Sequence, residues 1–116
     1  MVVKIPIRPV PKGRPRKGKH GFYTPPETRQ YESEVKILAS QQIKTPFEGD
    51  LSVDIKFYLK GRRGDIDNYV KSLLDGLNGV AWKDDHQIVD LRARIVRSSD
   101  QRSEIKIEQC GGMVCK

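Results

Sequence analysis

Six of the fifteen acidic residues fall in one stretch, as Asp65, Asp67, Asp75, Asp84, Asp85 and Asp90. Asp65 and Asp67 are two apart, so an extended chain would point both to one side. Asp67 and Lys71 are four apart and share a face if a helix starts at Asp67. Two carboxylates and an ammonium aimed at one spot suit a hard divalent cation, an attacking water and a charged transition state. The same spacing also suits an N-cap at Asp67 and a surface ion pair worth about 0.3–0.5 kcal/mol, and spacing alone leaves the two readings level. Asp84-Asp85 precedes an expected strand, where spacing alone favours an exposed turn. Trp82 reads as core rather than as a stacking platform. His86 reads as a solvated turn histidine rather than a proton acceptor, and His20 as facing phosphate or solvent. Phe22 and Tyr23 would either stack on unpaired bases or dock the first helix. Glu104-Ile105-Lys106 and Asp54-Ile55-Lys56 imitate half of a restriction-type nuclease site, but each is also what a half-solvated strand produces.

The elements that must position these groups follow from periodicity. Val2 to Ile7 reads as a short strand. Residues 9–21 carry three prolines and three glycines and read as a loop. Thr24-Pro25-Pro26-Glu27 resembles a capping box, with Thr24 as N-cap and Pro25 at the first helical position of a helix over 25–43. Leu51, Val53, Ile55, Phe57 and Leu59 alternate with polar residues, hence a strand with one buried face. Val70, Leu73, Leu74 and Leu77 give a second amphipathic helix, ended by Asn78-Gly79. Residues 88–96 and a stretch around Ile105 and Ile107 read as strands joined in a hairpin by a turn at 98–102. The order β-α-β-α-β-β predicts an α+β fold, a mixed four-stranded sheet with two helices packed on one face. We expect a single domain over 1–116, with a basic arm at about 9–21 and a tail at about 109–116.

Composition narrows the class of partner. The 116 residues carry a formal charge of +7. Residues 1–20 hold seven bases and no acid, which accounts for the whole excess. A basic arm on a neutral body suits a polyanion, because each neutralised phosphate releases counterions. The candidate DNA contacts are Lys12, Arg14, Arg16, Lys17 and Lys19, joined by Arg62 and Arg63. The arm has no apolar face for a membrane surface, and no apolar run approaches the ~18 residues of a span. Cys110 and Cys115 cannot complete a zinc site, and reduced thiols in a cytoplasmic protein are expected.

Taken in order, several segments resemble the RusA family of Holliday junction resolvases. They are Pro11-Lys12-Gly13-Arg14-Pro15-Arg16, Tyr23-Thr24-Pro25 with Thr28 and Tyr31-Glu32, Gly64-Asp65-Ile66-Asp67-Asn68 followed by Lys71, Leu74-Asp75-Gly76-Leu77-Asn78-Gly79, and Trp82-Lys83-Asp84-Asp85. The resemblance implies a Mg²⁺-dependent endonuclease, with Mn²⁺ as a possible substitute, that acts as a homodimer on four-way DNA junctions in recombination and repair. It implies catalytic, metal-holding roles for Asp65, Asp67 and Asp85, and a catalytic role for Lys71. Asp75 and Asp84 match further acidic positions. The alternatives are an inactive junction-binding module on the same fold, or a metal nuclease for flaps or RNA.

Overall fold

The computed structural model describes residues 1–61 and 64–110. Strand β4 (Leu51–Leu59) organises the sheet, because every odd-numbered residue in it is buried. Such a strand needs neighbours on both edges. It pairs in parallel with β5 (Ile88–Arg97) on one side and antiparallel with β6 (Arg102–Gln109) on the other. Strand β1 (Val2–Ile5) adds antiparallel to β6, giving the order β1-β6-β4-β5. The fold is α+β, with two helices and a mixed four-stranded sheet.

The expected hairpin between the last two strands is therefore not formed; β4 lies between them. A parallel β4–β5 pair needs a crossover, and helix α2 (Ile66–Leu77) supplies it. Residues 98–101 then pass over the end of β4. There the Ser98 amide donates to the Leu59 carbonyl, and the Lys60 amide to Gln101 Oε1 at 3.3 Å. Direct pairing across that four-residue loop would have set Arg94 opposite Ile105 and Arg92 opposite Ile107, mixing the two faces of the sheet.

Helix α1 runs Pro26–Ser40, shorter at both ends than expected, and buries Thr28, Tyr31, Val35 and Ala39. The Thr24 capping box is absent; Pro25 is the N-cap and its backbone is extended. A residue before proline is excluded from the helical region, so Pro26 fixes the start. Beyond the C-terminus, Gln42 Oε1 and Nε2 bond the amide and carbonyl of Lys4, covering part of the free edge of β1. The helices meet at Gly76. A Cβ there would lie 2.8 Å from Val35 Cβ, so only glycine permits this approach.

The basic arm departs from the expected loop. Arg16–Gly18 and Gly21–Tyr23 form a small antiparallel hairpin, β2 and β3. Its turn uses Gly21 at φ +111°, which other residues rarely adopt. Just past β6 the Cys110 amide donates to the Asp50 carbonyl at 2.9 Å, and Cys115 lies outside the described residues.

Candidate active site

Helix α2 carries most of the candidate groups. Its hydrophobic stripe buries Tyr69, Ser72, Leu73, Gly76 and Leu77 under α1 and the sheet. This turns Asp67 and Lys71 outward, and both are exposed. Asp67, Lys71 and Asp75 follow one another at four-residue steps along the helix. Asp65 is the N-cap residue with an extended backbone. Its side chain makes no capping bond, so the end of the helix does not consume its carboxylate. The capping role considered for Asp67 is not filled either, since Asp67 lies inside the first turn. No close Asp67–Lys71 ion pair forms among the described residues.

Asp85 comes from a different element, a short 3-10 turn at Asp85–Gln87 that leads into β5. The turn is held tightly. Gln87 Oε1 accepts from the Lys83 and Asp84 amides at 3.0 and 3.2 Å. Gln87 Nε2 donates to the carbonyls of Phe47 and Gly49, each at 3.0 Å. The turn thus follows a rigid floor, where Trp82 is fully buried and its Nε1 donates to Asn78 Oδ1 at 2.7 Å. Sequence reading missed Gln87, although Asp84-x-x-Gln87 has capping-box spacing. His86 is exposed, and its Nδ1 lies 3.3 Å from Asp84 Oδ2.

The charges in this turn are unequal. The His86 amide, and then a hydrogen bond shared with Asp85, hold the Asp84 carboxyl below the usual carboxylate range. Asp85 is pushed the other way. Its hydrogen bond with Asp84 comes first, followed by partial burial and by the negative charges of Asp84 and Asp75. A carboxyl raised by neighbouring carboxylates is one that a cation would stabilise as the anion. The end of α2 is tied to the segment that enters this turn, since Asn78 bridges to Trp82 and the Gly79 amide donates to the Trp82 carbonyl at 2.7 Å. Among the described residues, however, no three His, Cys, Asp or Glu side chains converge on a position that could hold a metal ion. The donor chemistry fits a hard divalent cation, while the ligand shell is not preassembled.

Lys12 is committed inside the protein. Its Nζ bonds Glu32 Oε2 at 2.8 Å and Asp75 Oδ2 at 2.9 Å. Partial burial acts to lower its pKa, but these two carboxylates outweigh that and hold the ammonium above its ordinary value. The neighbouring backbone is docked as well. The Lys12 amide donates to the Asn68 carbonyl at 2.8 Å, and the Gly13 amide to Thr28 Oγ1 at 3.1 Å. Ser72 Oγ donates to the Val10 carbonyl. Arg14, Arg16, Lys17 and Lys19 are exposed, and none meets a carboxylate among the described residues. Arg62 and Arg63 lie outside the described residues. Two bases not singled out from sequence, Arg8 and Lys60, flank a cleft of about 370 Å³ floored by Pro11, Leu59 and Tyr69. Gly64 packs on Pro11, so this cleft adjoins the entry to α2. Only the fold brings residues 8 and 60 together. The two imitation motifs lie on β4 and β6, where Asp54 sits opposite Lys106 and Lys56 opposite Glu104, and Asp54 Oδ1 is buried without a hydrogen bond among the described residues.

A basic hairpin and two exposed carboxylates, Asp65 and Asp67, unpaired among the described residues and with Lys71 one helical turn on, fit a class, proteins that bring acidic side chains to a polyanion backbone. The comparisons make it specific. The profile of the endodeoxyribonuclease RusA family matches residues 6–108, and the chain belongs to that family. It is therefore an endodeoxyribonuclease, a hydrolase of DNA. Membership implies a divalent metal cofactor. The chain is also similar to the uncharacterized protein YqaN of Bacillus subtilis (strain 168), at 32% identity over 87% of this chain and 90% of that protein. No helix of the described residues is long and apolar enough to cross a membrane.

Proposed function

We propose that this chain resolves four-way DNA junctions in the cytoplasm by paired symmetric nicks, with Mg²⁺ (or Mn²⁺) held by Asp65, Asp67 and Asp85. The observation that carries this reading is the exposed set Asp65, Asp67 and Lys71, unpaired among the described residues, at the start of α2, a helix whose far end is tied through Asn78 and Trp82 to the segment that carries Asp85. When bound, the ion would polarise the scissile phosphate and acidify a coordinated water. Asp65 and Asp67 are exposed, so their side chains can turn toward it. Lys71, one helical turn on from Asp67, would neutralise charge added at the phosphate oxygens. Arg14, Arg16, Lys17 and Lys19, with Arg62 and Arg63, would hold the flanking backbone.

The test is Asp67→Asn on a panel of junction, flap, linear duplex and RNA. We expect junction nicking to fall by about a hundredfold or more. Junction binding should persist, since removing negative charge cannot weaken attraction to phosphate. Wild-type cleavage by the variant would remove the site assignment. Faster cleavage of flap or RNA by the unmodified chain would redirect the substrate. Junction binding without product in either metal would leave a binding module.

Paired nicks on opposed strands call for a two-fold dimer. The surface that best supports one is β5, an edge strand with Val89 and Leu91 exposed at 55% and 44%. Antiparallel pairing of two copies about Leu91 would set Leu91 against itself and Asp90 opposite Arg92 of the partner subunit. Sedimentation at micromolar concentration should find a dimer, and Leu91→Asp a monomer. A monomeric wild-type chain on junction DNA would overturn the two-fold arrangement.

A further inference from the structure

The hairpin of the arm has two unlike faces. Residues directly opposite in an antiparallel pair share a face, and here Arg16 faces Tyr23, Lys17 faces Phe22, and Gly18 faces Gly21. On one face the Tyr23 ring lies across Gly18, where an added Cβ would come within 3.2 Å of two ring carbons. The small residue gives that ring a seat. On the other face Phe22 stands beside Lys17 with nothing to cover it. It is 76% exposed, the most exposed large apolar side chain among the described residues. Phe22 is thus not spent on docking α1. The hairpin that carries it is nonetheless anchored, because Gly13 packs against Pro25 at its base, with an added Cβ only 2.8 Å from Pro25 Cγ.

We propose that Phe22 is a stacking platform for a nucleobase left with one face open at the branch point of the DNA, with Lys17 on the adjoining phosphate. The inference rests on the junction reading above and names the part of the substrate that the hairpin recognises. Charge complementarity selects the occupant. Residues 1–20 contain no acid, so this exposed ring sits in a field that attracts polyanions and repels cationic partners. An aromatic ring offers a base a π-face, and stacking of this kind tolerates any sequence. Bases inside a duplex already stack on both sides. A branch point offers bases with one face open, and apolar wedges exploit such steps. Phe22 would therefore contribute to preference for branched over linear DNA, which the carboxylates cannot supply.

The experiment uses an immobile four-way junction with 2-aminopurine next to the crossover, and a linear duplex carrying the same probe. Binding is followed without divalent ion, so that no strand is cut. We expect the wild-type chain to change the junction probe's fluorescence. Phe22→Ala should lose that change and bind the junction about tenfold more weakly. Its duplex affinity should stay within about twofold, and Phe22→Trp should restore both signals. Equal weakening on junction and duplex, or none on either, overturns the platform. So does a changed sedimentation coefficient with unchanged DNA affinity, which would make the ring a protein contact. Either failure leaves the Asp67→Asn result standing, and wild-type cleavage by Asp67→Asn would sink the nuclease site without touching this one.

Discussion

Residues 10–13 and residues 16–23 belong to one basic segment, yet the fold uses them in opposite ways. The first stretch is bound to both helices through Lys12, Gly13 and the Val10 carbonyl. The second stands off as a hairpin whose Arg16, Lys17 and Lys19 are exposed and meet no carboxylate among the described residues. Local composition does not distinguish the two. The difference lies in what faces each stretch, since Glu32 and Asp75 wait opposite Lys12 and nothing acidic waits opposite Lys17. A lysine in a basic run is therefore no measure of nucleic-acid affinity until its partners are known.

Substitution can break this contrast. The largest expected effect is on DNA affinity. Replacing Arg16, Lys17 and Lys19 together by alanine should flatten the slope of log affinity against log salt by about 2.7 if each meets one phosphate. The melting temperature should stay within about 1 °C, because these side chains hold nothing within the described residues. A smaller and opposite effect is expected at Lys12. Lys12→Met leaves Glu32 and Asp75 facing each other without a cation. Partial exposure limits the loss to about 1 kcal/mol, or about 4 °C in melting temperature. Its salt slope should match the wild type. If Lys12→Met flattens the slope as well, Lys12 leaves its carboxylates to meet DNA and the two stretches act alike.

The sequence carried much of this fold. Strand β4 and helix α2 were legible because their periods, two and about 3.6, run unbroken over 51–59 and 70–77. Asp67 and Lys71 were legible as neighbours on one helix face for the same reason, while the shared side of Asp65 and Asp67 was not, because it assumed an extended chain and α2 begins at Ile66. The split of β5 from β6 was not, since a short loop suggests a hairpin and only pairing parity argues against it. The start of α1 was misplaced because the capping pattern at Thr24 outweighed a stronger constraint, the backbone restriction that Pro26 puts on Pro25. The tie of Lys12 to residues 32 and 75 spans distances over which spacing carries no signal. Gln87 stands at capping-box spacing from Asp84, but that spacing does not show that its amide also reaches the carbonyls of Phe47 and Gly49.

The pinch of Gly13 against Pro25 has a mechanical consequence. Both legs of the hairpin leave the body at one point, and one of them enters α1 directly at Pro26. From that root to the turn the chain rises through residues 14–18, about 16 Å at strand geometry. The projection is thus a short post fixed at its foot, and only Arg14 and Pro15 on one leg and Thr24 on the other lie between foot and strands. A bent DNA arm leaning on such a post delivers its load to the helix pair that carries Asp67, Lys71 and Glu32, with little slack in which to lose it.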